Sequence, residues 1–154
     1  AAGAGIDGIL VTDAVDEEAA EIGAIFRSNG LDLISLIAPT TSDERLAKIA
    51  ANANGFLYAV SRAGVTGARS EMSSAAEELV RRARAVTDLP VAVGFGISTS
   101  GQIEEVWEYA DAAVVGSAIV AEIERAIPLG NVPERVRAFV GSLLPAVANT
   151  GTEN

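Results

Sequence analysis

The sequence predicts an α/β protein: five parallel βα units forming one domain over residues 1–154. Three observations carry this. The strand candidates are short, continuous apolar runs rather than alternating ones, as expected of a parallel sheet covered on both faces. Each run leads into a stretch with helical periodicity or a helix-start signal. The runs begin near residues 8, 32, 56, 90 and 111, spacings of about 24, 24, 34 and 21, close to one βα unit each. Five such units suit either an open doubly wound sheet or part of a (β/α)8 barrel, which needs about 250 residues when whole.

Gly8 to Thr12 is the first strand; Asp16, Glu17 and Glu18 open a helix to about Ser28, where acids suit the helix dipole. Asn29-Gly30 stops it with residues that tolerate a left-handed backbone. Leu31 to Ile37 is the second strand, closed by Ala38-Pro39. Thr41-Ser42-Asp43-Glu44 reads as a capping box for a helix to about Asn52. Phe56 to Val60 is the third strand. The polar loop Ser61 to Ala68 follows it, and then a helix from Met72 to Val86. This unit is roughly ten residues longer than its neighbours, which suits a lid or binding loop. Val91 to Val93 is the fourth strand, and Ser98 or Thr99 caps a helix ending near Tyr109. Ala112 to Val115 is the fifth, followed by a short helix to about Ala126, a break at Pro128-Leu129-Gly130, and a last helix from Val132 to Leu144. The tail from Ala146 to Asn154 reads as frayed.

Composition narrows the function. With 49% hydrophobic and 21% charged residues the chain is globular. Its net charge of −10 and pI near 4.4 disfavour nucleic-acid binding. A phosphate would have to be held locally, by backbone N–H groups at a helix terminus. There is no Cys for a disulfide or thiolate metal site, and no His, the commonest general base. No apolar run reaches the roughly 18–20 residues that span a bilayer, so no membrane role is expected. The start Ala1-Ala2-Gly3-Ala4-Gly5 has neither an initiator Met nor the basic region of a secretory signal. A cytoplasmic location and a longer parent chain are expected.

Ligands of α/β folds sit beyond the carboxyl ends of the strands. Three strand ends are candidates. Gly116-Ser117 starts a short helix and reads either as a phosphate cradle or as a small-residue packing turn. Gly94-Phe95-Gly96 gives glycines for close backbone approach and an apolar wall, but lacks the third glycine of a dinucleotide fingerprint. Gly64 and Gly67 flank Val65-Thr66, either a latchable lid or a solvated turn. Asp13, at a strand's end, reads more simply as a helix N-terminal acid than as a functional one. Tyr58 fits core or site, whereas Trp107 and Tyr109 read as packing residues. Arg81, Arg82 and Arg84 read as a solvated helix face with Glu77 and Glu78 one turn before.

Taken together these motifs resemble one family. Tyr58-Ala59-Val60-Ser61-Arg62-Ala63-Gly64-Val65-Thr66-Gly67-Ala68 resembles the sixth strand and loop of the tryptophan synthase alpha subunit. Gly94-Phe95-Gly96-Ile97-Ser98 is similar to its seventh-strand motif, Val115-Gly116-Ser117-Ala118-Ile119-Val120 to its eighth-strand phosphate turn, and Leu10-Val11-Thr12-Asp13 to its fourth-strand end. The resemblance implies a partial (β/α)8 TIM barrel, strands 4 to 8, with strands 1 to 3 expected before residue 1. It implies an aldolase-type lyase of tryptophan biosynthesis. Such a lyase cleaves indole-3-glycerol phosphate to indole and glyceraldehyde 3-phosphate, has no cofactor of its own, and pairs with a pyridoxal-phosphate-dependent beta subunit. Carried over by position, Gly67, Gly96, Gly116 and Ser117 would hold the phosphate. Phe95, Tyr58 and Leu10 would line the indole pocket. Thr66 and Arg62 belong to the closing loop and Asp13 supports it.

The family's catalytic Glu and Asp lie on its second barrel strand, which these residues do not include. The chain is therefore expected to carry the binding half of a site and to be inactive alone, since acid–base chemistry needs both groups within hydrogen-bond reach of the substrate. Two other readings stay open on motif grounds. Another phosphate-binding barrel, an isomerase or epimerase, would share the Gly96 and Gly116-Ser117 cup but not the loop from Arg62 to Ala68. A receiver-like signalling domain needs an Asp ending its third strand and a Lys ending its fifth, where this chain has Val60-Ser61 and Val115-Gly116.

Overall fold

A computed structural model describes residues 1–12, 16–60, 69–94 and 96–145. Among the described residues five strands are laid down in chain order: β1 (Gly8–Leu10), β2 (Asp32–Ile37), β3 (Leu57–Val60), β4 (Val91–Gly94) and β5 (Ala112–Val114). They are interleaved with α1 (Asp16–Ser28), α2 (Asp43–Asn52), α3 (Arg69–Arg84), α4 (Ser100–Trp107) and α5 (Ser117–Ala126), and α6 (Val132–Leu143) follows. All four strand pairings are parallel and the sheet order is β1-β2-β3-β4-β5. That order decides between the two architectures open on sequence. A doubly wound sheet reverses direction partway across, whereas a barrel steps always to the same side. Right-handed crossovers repeated in one direction put every helix on one face of the sheet. The contacts of α1 with α2 and of α2 with α3 agree with this. The fold is part of a (β/α)8 barrel, and the doubly wound and receiver-like alternatives fall with the strand order.

The helix-facing side holds the core. Ile37, Leu57, Ala59, Val91 and Val93 point outward and pack against Leu46, Leu79, Val80, Ile103 and Val106 from the helices. Burying each large apolar side chain contributes about 1.5–3 kcal/mol. Alternation along the strands turns the intervening residues to the inner face. The register groups them: Leu10 beside Ile34, and Leu36, Tyr58, Ala92 and Ala112 in one row. Val60, Gly94 and Val114 form the next row toward the carboxyl ends. Among the described residues no helix is long and apolar enough to cross a membrane.

Local chemistry corrects several expected boundaries. α3 begins at Arg69 rather than Met72. α2 is capped by Ser42, whose hydroxyl accepts the Arg45 N–H, so no Thr41–Glu44 box forms. Thr41 instead accepts the Ala38 N–H, and Glu44 pairs with Lys48. Arg81, Arg82 and Arg84 do not share one solvated face. Arg81 pairs with Glu78 on the surface. Arg82 donates to Asp43 at 2.7 Å and to the carbonyls of Thr41 and Pro39, fixing the segment after β2. Arg84 reaches Asp111, before β5. Trp107, expected to pack, is half-exposed at 48%, whereas Tyr109 lies against the core.

Asp111 links the amino ends of β4 and β5. Its carboxylate accepts the Val91 N–H at 2.8 Å and faces Arg84. The Val91 N–H first, and Arg84 after it, hold the Asp111 carboxyl below the usual carboxylate range, against the opposing effect of partial burial. A depressed folded-state value contributes stability that is present above the ordinary Asp range and lost as pH falls through the folded value. Urea midpoints are therefore expected to fall below about pH 4. Asp111→Asn, which keeps an acceptor for Val91 but does not titrate, should flatten part of that acid slope. An unchanged slope would remove Asp111 from the account.

Candidate functional site at the carboxyl ends of the strands

The inner face is an apolar floor. Leu10 is 39% exposed, and Leu36, Tyr58, Val60 and Val114 are half-buried, in contrast to the sealed helix-facing side. Tyr58 defines the floor. A Cβ built on Gly94 would lie 2.8 Å from Tyr58 Cζ and 2.9 Å from Val114 Cβ, and closer still to the Tyr58 hydroxyl. The phenol ring thus crosses β4 through the space a side chain at 94 would fill. This revises the reading of Gly94-Phe95-Gly96. Gly94 is buried and accommodates a side chain of the protein itself, not an approaching ligand. Of the two glycines, Gly96 remains the candidate for the ligand.

The rim follows from the register. Val60, Gly94 and Val114 are aligned on three adjacent parallel strands, so these strands end together on the same side of the sheet. Gly96 lies two residues beyond Gly94 with φ of 71°, a left-handed conformation that favours glycine. Ile97, buried at 6%, anchors the turn from the far side. Gly116 lies two residues beyond Val114 and is the N-cap of α5, with open space where a Cβ would stand. The Gly116 carbonyl accepts the Ile119 N–H. The N–H groups of Ser117 and Ala118, at the first two positions of the helix, have no intrahelical acceptor by geometry. The helix dipole adds positive potential there, and the exposed Ser117 offers a hydroxyl. Such an end suits an anion without a basic side chain, in a chain of net charge −10.

One residue of the rim escaped the sequence reading. Gln102 forms a capping box with Thr99. Its Oε1 accepts the N–H of Ser98 at 2.8 Å and of Thr99 at 3.1 Å, so it braces the turn that contains Gly96. The signal was present as Thr99-Ser100-Gly101-Gln102, the S/T-x-x-Q pattern. The structure therefore brings Tyr58, Leu10, Gly96, Gly116 and Ser117 to one face or its rim. Gly67, Phe95, Asp13, Arg62 and Thr66 lie outside the described residues.

Known proteins are similar to this chain in sequence and fold. The family model for the tryptophan synthase alpha chain matches residues 1–143. The tryptophan synthase alpha chain of Methanopyrus kandleri is 48% identical over 145 residues, 94% of this chain and 53% of that protein. That of Caulobacter sp. strain K31 is 46% identical over 154 residues, covering 99% of this chain and 56% of the relative. Among solved structures, the tryptophan synthase α2β2 complex of Pyrococcus furiosus superposes with a TM-score of 0.81 at 39% identity, over 92% of this chain and 57% of that one. A Mycobacterium tuberculosis tryptophan synthase gives 0.77 at 40% identity, over 92% and 52%. The chain thus spans about half the length of the curated relatives it matches. With its strand order, its glycine turns and these likenesses in agreement, the chain belongs to the tryptophan synthase alpha chain family.

Proposed function

We propose that this chain supplies the substrate-gripping half of an alpha-type lyase site, the part that holds the phosphate and the indole of indole-3-glycerol phosphate. Gly96, Gly116, Ser117 and Gly67 bind the phosphate, chiefly through main-chain N–H groups. Tyr58, Leu10 and Phe95 line the indole. Thr66 and Arg62 close the loop over the substrate, with Asp13 in support. The reaction breaks a carbon–carbon bond to release indole and glyceraldehyde 3-phosphate. Its general acid and base are a Glu and an Asp of the second barrel strand, outside these 154 residues. The partner is a pyridoxal-phosphate-dependent beta subunit that takes up the indole. Acid–base groups contribute about 10²- to 10⁴-fold each, so the chain alone binds and does not turn over.

One observation carries this reading: an apolar inner face crossed by a phenol runs directly into two glycine turns that follow adjacent hydrogen-bonded strands, one capping a helix. Such a site fits a ligand with a flat apolar body and one anionic end. Calorimetric titration with indole-3-propanol phosphate should show one site per chain, with no indole released from indole-3-glycerol phosphate. Binding of a sugar phosphate without the indole compound would favour an isomerase or epimerase type of site. Indole release by this chain alone would overturn the assignment of the acid and base.

A further inference from the structure

We propose that Gln102 is a positioning residue for the anion, and that its neutral amide is what suits it to this place. The inference rests on the phosphate reading above. At the third position of a capping box Glu and Gln both accept the turn's N–H groups. On helix stability alone Glu is at least as good, because a negative charge in a first turn is favoured by the dipole. The chain has Gln there.

The geometry gives a reason. The Gln102 oxygen sits among the N–H groups of Ser98 and Thr99, at 2.8 and 3.1 Å, with both hydroxyls at 3.2 Å. This turn also carries Gly96, and its strand β4 is the hydrogen-bonded neighbour of β5, which leads into Gly116-Ser117. A carboxylate at 102 would make the same hydrogen bonds while standing beside the phosphate site with a like charge. The amide braces the turn from the α4 side, and buried Ile97 pins it to the core. Between them they fix the direction of the Gly96 backbone without adding negative potential.

The test uses the full chain with glycerol 3-phosphate and, separately, indole as probes. Gln102→Glu should melt at or above the wild-type temperature yet bind glycerol 3-phosphate about tenfold more weakly, from like-charge repulsion across a partly solvated site. The deficit should shrink as salt rises from about 0.05 M to about 0.5 M, and indole binding should not change. Gln102→Leu, with no acceptor, should speed amide exchange at Ser98 and Thr99 and weaken the phosphoester without that salt dependence. Wild-type affinity in Gln102→Glu would reduce Gln102 to a helix cap and overturn the proposal while leaving the phosphate site standing. Failure of the wild-type chain to bind glycerol 3-phosphate would instead remove the phosphate reading and the role of Gln102 with it.

Discussion

Gly94→Ala should destabilise the protein by about 1–3 kcal/mol, the range for overpacking a filled interior, and should weaken binding of the indole compound. The new methyl would meet Tyr58 Cζ at 2.8 Å and Val114 Cβ at 2.9 Å. Neither gives way cheaply: Val114 is held in β5, and the ring turns aside only by leaving the floor of the site. The physical claim is that residue 94 is small because Tyr58 is large. A second substitution that removes the ring should therefore suppress the first. In a double-mutant cycle of Gly94→Ala with Tyr58→Leu, the coupling should be stabilising and about 0.5–3 kcal/mol. Additivity of the two changes in urea unfolding would show that the glycine is needed for something other than the ring.

Leu57→Ala should cost more, about 2–5 kcal/mol, because Leu57 has no exposed surface and faces the packed side of the sheet. Total stabilities of such domains are about 5–15 kcal/mol, so the loss is a large share. Leu36→Ala is the comparison. Leu36 is half-buried on the inner face, beside Tyr58 in the register, and should cost under about 1.5 kcal/mol. Urea midpoints at constant m-value measure both. Equal costs for the two would contradict the division of the sheet into a sealed outer side and an open inner one.

These residues show what a one-dimensional reading carries. The five strands, the α1 and α5 helices and the stop at Gly30 were legible because each is set by local signals: apolar runs, caps, breakers. The sequential strand order was not, since two architectures share the same βα rhythm until pairing is known. Arg82 looked like its neighbours at 81 and 84; only the approach of the segment after β2 gives it Asp43 and two carbonyls as partners. The cap of α2 slipped by one residue because Thr41 and Ser42 compete for the position and the Ala38 N–H takes Thr41. Gly94 and Gly96 look alike in sequence, yet one makes room for a side chain and the other bends the backbone. Gln102 escaped the sequence reading although its capping pattern was present, and its place beside the Gly116-Ser117 turn depends on which strand lies beside β4.

The strictly sequential pairing has a kinetic meaning. Among the described residues each strand finds its partner about 20 to 34 residues along the chain, and no pairing joins the first strand to the last. Loop closure is therefore needed only over short, similar distances, and each new unit docks on the one just formed. Neighbour-to-neighbour pairing of this kind favours faster folding than the slow search that distant strand pairing imposes.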